Sequence, residues 1–290
     1  MRTQRNSCAL ERIIMAAIHL VVGCGLSGAT VARKVSEELG EKVVINDSRP
    51  HIAGNCYDFR DDNDLVIQRY GAHLFHTNVR DVWDFLSRVT RWLPYFHRVG
   101  VVVDGMEVPL PFNLTSLRMV FPPGLAERLE AKLLERFSFN SRLPILELRK
   151  DADSDIRFIA EYIYGKVFLP YTQKQWGWNP EEIDPSITAR VPVLIGKDDR
   201  YFSDRFQAIP VNGYTAMVEK MLDHPLIEVR LNTPYDAIRD AEAYDRVFYT
   251  GSVDEFFFYE HGMLPYRSVR FDYMTYPKKR MQRYGVVNYP

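Results

Sequence analysis

Apolar residues recur with changing spacing along this chain of 290 residues, and each change of spacing marks an element. Residues 18–22 are a short buried-type run that ends at Gly23-Cys24-Gly25-Leu26-Ser27-Gly28. Over residues 29–39 the spacing turns helical, with Ala29, Ala32, Val35 and Leu39 on one face and Gly40 as the stop. Residues 42–45 form a second buried-type run, closed by Asp47. The order is therefore strand, glycine loop, helix, strand. Further on, residues 80–89 predict a helix with Trp83 and Leu86 inside, and residues 99–108 a hairpin turning at Asp104-Gly105. Residues 125–137 and 156–167 predict amphipathic helices, which makes 113–175 a mainly helical insertion. Pro180, Pro185 and Pro192 predict an irregular stretch. Residues 217–222 then predict a helix, 227–231 and 245–250 strands, and the alternating tail 266–288 further strands.

Composition narrows the class. With 46% hydrophobic residues the chain has enough apolar material for a core, which excludes disorder and rod-like assemblies. Lys and Arg number 37 against 38 Asp and Glu, a net charge of −1, so no whole-chain attraction to nucleic acid or an anionic membrane is expected. Any phosphate site must be local. Cys8, Cys24 and Cys56 form neither a CxxC nor a metal-ligand spacing, so no metal is expected and a reducing, cytoplasmic setting is. Residues 13–22, behind Arg2, Arg5 and Arg12, resemble a signal peptide superficially, but the run is too short to span a bilayer and leads straight into the glycine loop. Residues 1–16 are read as a disordered extension, with Met15 a candidate start.

The glycine loop carries the first chemistry. Gly-x-Gly-x-x-Gly between a strand and a helix lets a pyrophosphate approach the backbone and the free N–H groups of the helix start. Asp47 lies 19 residues after Gly28 (47 − 28) at a strand end, where a carboxylate accepts from a ribose diol. NAD and FAD both suit this much. A second glycine-bearing turn, Arg49-Pro50-His51-Ile52-Ala53-Gly54-Asn55, comes closely behind the acid and favours FAD.

Longer motifs then carry a resemblance. Tyr70-Gly71-Ala72-His73-Leu74-Phe75-His76-Thr77, Leu110-Pro111-Phe112-Asn113 and Tyr171-Thr172-Gln173-Lys174-Gln175-Trp176-Gly177 appear in order. Tyr201-Phe202-Ser203-Asp204-Arg205, Ile209-Pro210-Val211-Asn212-Gly213-Tyr214 and Tyr249-Thr250-Gly251 come after them. Together they resemble the UDP-galactopyranose mutase family collinearly from about residue 18 to the end. The resemblance implies an isomerase that interconverts UDP-galactopyranose and UDP-galactofuranose in galactofuranose and cell-surface polysaccharide biosynthesis. It implies reduced FAD, whose N5 attacks the anomeric carbon and expels UDP to give a flavin–sugar iminium. A cofactor that is itself the nucleophile agrees with the lack of a convincing Ser/His/Asp, Cys/His or metal constellation.

By the same resemblance, Gly23, Gly25, Ser27, Gly28, Asp47, Ser48, Gly54, Asn55, His73, Leu74 and Tyr235 bind the cofactor. Asp47 stands where relatives usually carry Glu, and Ala53 where a glycine is common. His73 near N5 is a catalytic candidate, with a turn histidine satisfied by backbone as the plain alternative; His76 is read as structural. Tyr171 stacks on uracil, Trp176 walls the nucleotide pocket and Thr172 adds a hydroxyl. Arg190, the second catalytic candidate, closes on the diphosphate from a mobile loop. Tyr201 meets the phosphate, and His97 and Asn288 align with pocket positions. Trp178 is read as packing, and Phe256-Phe257-Phe258-Tyr259 as core or interface.

The fold class expected is α/β: a Rossmann-like FAD-binding domain with an inserted helical domain and an antiparallel β-sheet domain. The boundaries are 17–80 for the FAD-binding part, 81–112 for the start of the sheet domain and 113–185 for the helical insertion. A mobile loop and sheet take 186–212, the FAD-binding domain returns over 213–264, and sheet strands close the chain over 265–290. The resemblance implies that relatives continue past Pro290 with a further arginine, two tyrosines and a flavin-binding turn, so this chain is expected to bind FAD weakly and turn over poorly. UDP-galactose and UDP-galactofuranose are the expected partners, with no nucleic acid and no membrane insertion; a homodimer is left open. Two other readings remain: an amine-oxidase-like flavin oxidoreductase, and a non-catalytic remnant that grips UDP.

Overall fold

Four short strands pair in parallel in the order Ile227–Arg230, Lys42–Asn46, Ile18–Val22, Arg246–Tyr249. They belong to a computed structural model that describes residues 17–189, 191–241, 243–266 and 268–290. The reading of residues 1–16, Cys8 among them, and that of Arg190 lie outside the described residues. In the two central strands Leu20, Val21, Val43, Val44 and Ile45 are fully buried at consecutive positions, as a strand covered on both faces requires. Burial of each such side chain contributes about 1.5–3 kcal/mol. Helices Leu26–Lys34 and Gly213–Leu222 pack on each other, and Leu26–Lys34 also on the sheet. Ile238, with Tyr235 and Tyr249, packs on Leu20, Val22 and Val44.

The chain divides into two compact units. The first holds the parallel sheet and is built from residues up to 73, 84–92 and 210–264; the second takes 74–83, 93–209 and 265–290. Residues 84–92, grouped by the sequence with the sheet domain, pack in the first unit.

The helix expected over 29–39 starts earlier, at Leu26, and changes at Val35–Leu39 into a π-turn that ends on Gly40. The wider turn rotates its own last residues away from the sheet, so Leu39 is exposed while Ala29, Ala32 and Val35 are buried. Gly213–Leu222 likewise begins four residues before the predicted start. Its first N–H groups, at Tyr214 and Thr215, donate to the buried Asp58 carboxylate, a favourable place for negative charge.

In the second unit the Asp104-Gly105 hairpin forms as read, with Val99–Val103 antiparallel to Met106–Leu110. Helices Pro123–Arg136 and Ser154–Ile163 pack with it through Leu129, Leu133, Ile156, Ile159 and Ile163 around Val101, Val108 and Phe112. Ser154–Ile163 runs on through a π-turn, Tyr164–Phe168, into helix Leu169–Trp176, which stops at left-handed Gly177. Between the expected prolines the stretch is more regular than predicted. Pro180–Glu182 is a 3-10 turn and Pro185–Ala189 a helical turn, because proline suits a first helical position.

The tail departs from its reading. Among the described residues of 266–288 only Val286–Asn288 is a strand, and it joins Val99–Val103 in parallel, so this sheet is mixed. Among the described residues the rest of the tail pairs with no strand, and Tyr266, Val269, Phe271 and Tyr273 are exposed. Alternation marks a chain able to bury one face; it does not supply the partner.

Candidate functional site

The first unit contains a cavity of about 460 Å³ at the carboxyl ends of its parallel strands, the position where open α/β sheets take ligands. Its floor is the glycine turn. Gly23 has φ +99°, and a Cβ there would lie 2.3 Å from the Thr250 hydroxyl. At Gly28 a Cβ would lie 1.9 Å from the Gly23 carbonyl oxygen, so only hydrogen allows the helix to start so close to the strand. Gly25 caps Leu26–Lys34 without a side-chain hydrogen bond, and no acid stands in the first turn. The helix start therefore offers unpaired N–H groups and the positive end of its dipole to an anion.

Asp47 frames this turn. Its Oδ2 accepts from the Cys24 N–H and its Oδ1 from the Arg49 N–H, both at 2.9 Å. Each oxygen keeps a further lone pair for a ribose hydroxyl. The second glycine turn is tied to the first, since Ala53 N donates to the Cys24 carbonyl at 2.9 Å. Ala53 itself is held in the left-handed region, φ +67°, at the position where a glycine would be free of strain.

Of the residues expected to bind the cofactor, Gly23, Gly25, Ser27, Asp47, Ser48, Gly54, Asn55 and Tyr235 line the cavity. Gly28 acts by its closeness to Gly23. His73 and Leu74 do not line it. His73 Nδ1 donates to the Gly71 carbonyl at 2.9 Å, while its backbone N and O are both held by the Gln68 amide. A carbonyl only accepts, so the proton is on Nδ1, and Nε2 of the neutral ring keeps its lone pair.

Asn46, Arg49, Pro234, Tyr249, Thr250, Ser252 and Glu255 also line the cavity, without having been assigned to it from the sequence. Tyr249-Thr250-Gly251 was legible as a motif, and Arg49 as the start of the second glycine turn; the rest carry no spacing signal. Tyr235, Tyr249 and Phe256 form an aromatic group with ring centroids 4.9–6.2 Å apart. Phe257, Phe258 and Tyr259, read as core or interface, are exposed, because the chain passes Phe258 and Tyr259 in left-handed turns. The Cys24 and Cys56 thiols are pushed up to about 12 and about 11, by burial first and then by Asp47 and Asp58 respectively. Neither is a nucleophile at neutral pH.

The expected substrate residues that are described, His97, Tyr171, Thr172, Trp176, Tyr201 and Asn288, all belong to the second unit. Helix Leu169–Trp176 exposes Tyr171 (40%) and Trp176 (39%) and buries Thr172 between them. Five positions turn a helix by roughly 140° beyond one full circle, so the two aromatics flank the helix and neither is core packing. Trp178, read as packing, is 57% exposed because it comes after the Gly177 turn that ends the helix. Tyr201 N donates to the His97 carbonyl at 2.8 Å, and the two rings meet edge to face at 6.1 Å. Burial holds the His97 imidazole below its usual range and raises the Tyr201 phenol, which the nearby Tyr171 raises further. His97 Nδ1 and the Tyr95 hydroxyl are 3.2 Å apart. Asn288 Nδ2 donates to the Gly100 carbonyl at 3.3 Å, and Lys174 of the helix reaches the neighbouring Tyr289 carbonyl at 2.8 Å. His76 pairs with Asp204 at 2.9 Å and stacks on Phe202, a structural arrangement. Among the described residues no group of three or more His, Cys, Asp or Glu is placed to hold a metal ion, and no helix is long and apolar enough to cross a membrane.

A glycine cradle, an uncapped helix start and an acid after the second parallel strand define a dinucleotide-binding protein of the Rossmann-like class. Comparison with known proteins agrees. The profile of the NAD(P)-binding Rossmann-like domain matches residues 21–89, and that of UDP-galactopyranose mutase matches residues 166–290. A probable UDP-galactopyranose mutase of Klebsiella pneumoniae is 37% identical over 271 residues, covering 93% of this chain and 69% of that protein. The dTDP-fucopyranose mutase of Escherichia coli is 37% identical over 259 residues, covering 87% and 68%. A crystal structure of reduced UDP-galactopyranose mutase superposes with a TM-score of 0.48 at 17% identity, covering 74% of this chain and 48% of that one; the chain thus spans about half the length of that solved relative. The chain belongs to the UDP-galactopyranose mutase family, whose members are isomerases, and the fold and family together imply a flavin-type cofactor.

Proposed function

We propose that the protein interconverts UDP-galactopyranose and UDP-galactofuranose, with FAD lying in the cavity of the first unit. The observation that carries this reading is the glycine cradle opening onto an uncapped helix start beside Asp47. Those groups suit the adenosine diphosphate half of the cofactor: N–H groups for the pyrophosphate, Asp47 for the ribose, Tyr235 and Tyr249 for the base. Reduced FAD, when bound, supplies the nucleophile toward the anomeric carbon of the sugar.

The chain's own residues bind and orient. Tyr171 and Trp176 are the stacking surfaces for uracil, with the Thr172 hydroxyl between them. Arg190 grips the diphosphate through its fork, and Tyr201 donates to the same oxygens. The raised Tyr201 phenol stays protonated at neutral pH and so remains a donor. His97, neutral because burial disfavours its charged form, and Asn288 complete the polar lining. His73 Nε2 is an acceptor that orients a flavin N–H, with Gly71 fixing its tautomer. The chemistry takes place in the cytoplasm.

Conversion of UDP-galactofuranose to the pyranose by dithionite-reduced protein, read out by chromatography, tests this reading. Conversion in the reduced protein and none in the oxidised protein is expected. Protein that holds flavin and does not convert this sugar overturns it, and conversion of dTDP-fucopyranose instead would replace it with the reaction named for the Escherichia coli relative.

A further inference from the structure

Arg98, Arg280 and Arg283 share the wall of a cavity of about 620 Å³ in the second unit. Tyr95, Phe96 and Tyr284 give it aromatic sides, and no carboxylate lines it. None of the residues expected to bind substrate is part of it. The pairing of two strands assembles this wall. Val286–Asn288 runs parallel to Val99–Val103 with Val286 beside Val99, so the residues leading into both strands meet. There the Gly285 N–H donates to the Arg98 carbonyl at 3.2 Å. Tyr284 is buried over Gly100, where a Cβ would lie 2.5 Å from its ring, and Gln282 Nε2 donates to the Tyr284 carbonyl at 3.0 Å. These contacts hold the turn that carries Arg280 and Arg283, and the Arg283 guanidinium lies 5.5 Å from the Tyr284 ring centre.

Elsewhere the arginines of this chain meet carboxylates. Glu37 takes Arg33 and Arg88, Arg149 lies between Glu161 and Glu181, and Arg200 pairs with Asp198. Acids are not scarce, at 38 against 37 basic residues. Yet Arg98, Arg280 and Arg283 have no carboxylate partner among the described residues. Asp199 and Glu107 act on the Tyr284 phenol from outside the wall, and Asp199 accepts from Asn113 Nδ2 at 3.0 Å. Lys278 and Lys279 add two cations just before Arg280. Uncompensated guanidinium groups in one concave wall repel one another, and an anion between them turns that repulsion into attraction. We infer that this cavity binds a terminal phosphate or diphosphate group of an organic ester. A guanidinium fork grips two oxygens at once, so several forks suit a terminal phosphate, with its higher charge and extra free oxygen, over a singly charged phosphodiester. The aromatic sides receive the organic part. The inference does not rest on the isomerase reading or on the glycine turn of the first unit.

Calorimetric titration with inorganic pyrophosphate, in the wild-type chain and in Arg280→Gln/Arg283→Gln, tests it. The wild type is expected to bind, and the double variant to bind at least about tenfold more weakly. Both side chains are exposed, so the unfolding midpoint should not change. The glycine turn is itself suited to an anion, so the titration is repeated in Gly28→Ala, where the arginine-dependent binding should persist. A wild type that does not bind pyrophosphate overturns the inference. So does an affinity unchanged in the double variant, or one lost in Gly28→Ala and kept in the double variant. Sedimentation with vesicles containing phosphatidic acid separates the two sources of such a group. Arginine-dependent co-sedimentation assigns the cavity to a lipid headgroup, and its absence to a soluble phosphate ester.

Discussion

At Gly28 the space left for a side chain is negative: a Cβ would sit 1.9 Å from the Gly23 carbonyl oxygen, a backbone atom that cannot rotate away. Gly28→Ala must push the helix start off the strand. It is expected to cost about 1–3 kcal/mol in urea unfolding, as overpacking does. It should also weaken ADP binding at least about tenfold, since the displaced N–H groups no longer converge. A variant with wild-type ADP affinity would show that the turn is not the pyrophosphate site. Nearby, Ala53 shows a residue-scale cost that the structure retains: its left-handed backbone is unfavourable for an L-residue by about 1–2 kcal/mol. Its N–H bond to Cys24 and its carbonyl bond from the Cys56 N–H hold it there. The resemblance marked Ala53 as a departure from glycine; the sign of φ is visible only in the folded chain.

At the scale of elements, the helix Leu169–Trp176 carries most of the proposed uracil contacts. Its two aromatics are exposed, so removing one leaves the core intact. Trp176→Ala is expected to weaken UDP binding by about 1–3 kcal/mol, by analogy with base–aromatic stacking, with an unchanged unfolding midpoint. Equal UDP affinity in variant and wild type, measured by fluorescence titration, would remove Trp176 from the site. Helix types and most strands were legible because hydrophobic period is a local property. The π-turns at Val35–Leu39 and Tyr164–Phe168 were not: one extra residue per turn leaves no mark in composition, yet it decides that Leu39 faces solvent. The tail misled for a related reason, since Val269, Phe271 and Tyr273 alternate outside any strand that the described residues form.

Across the whole molecule, alkali acts on buried thiols in the first unit and on buried phenols in the second. There Tyr164 donates to Glu181 at 2.6 Å, and burial, then that carboxylate, pushes its phenol up to about 12. Tyr162, which donates to Asp104 at 2.8 Å, is also raised by burial and by its carboxylate. A group whose pKa is higher folded than unfolded stabilises the fold fully below its unfolded value and loses that contribution as pH rises through the folded one. Helicity, tracked by circular dichroism together with tyrosinate absorbance, should therefore fall between pH 10.0 and about 12. Tyr164→Phe should flatten part of that fall; an unchanged profile would show that this pair does not couple to folding.

What the residue order determined alone is what depends on near neighbours: the strand–glycine turn–helix–strand start, the acid 19 residues beyond Gly28, the Asp104-Gly105 hairpin and the helices of the insertion. Turn chemistry and hydrophobic period act over a few residues and need no partner to be read. The tertiary structure alone decided that Asn46, Asp47 and Arg49 share a cavity with Pro234, Tyr249 and Glu255, roughly two hundred positions away in the chain. It also decided that Asn46 carries an acceptor without a partner among the described residues, and that His73 turns its Nδ1 to Gly71 and stands outside that cavity. Convergence of distant segments depends on which strands pair and which faces are buried, and those choices are made by the free energy of the whole fold.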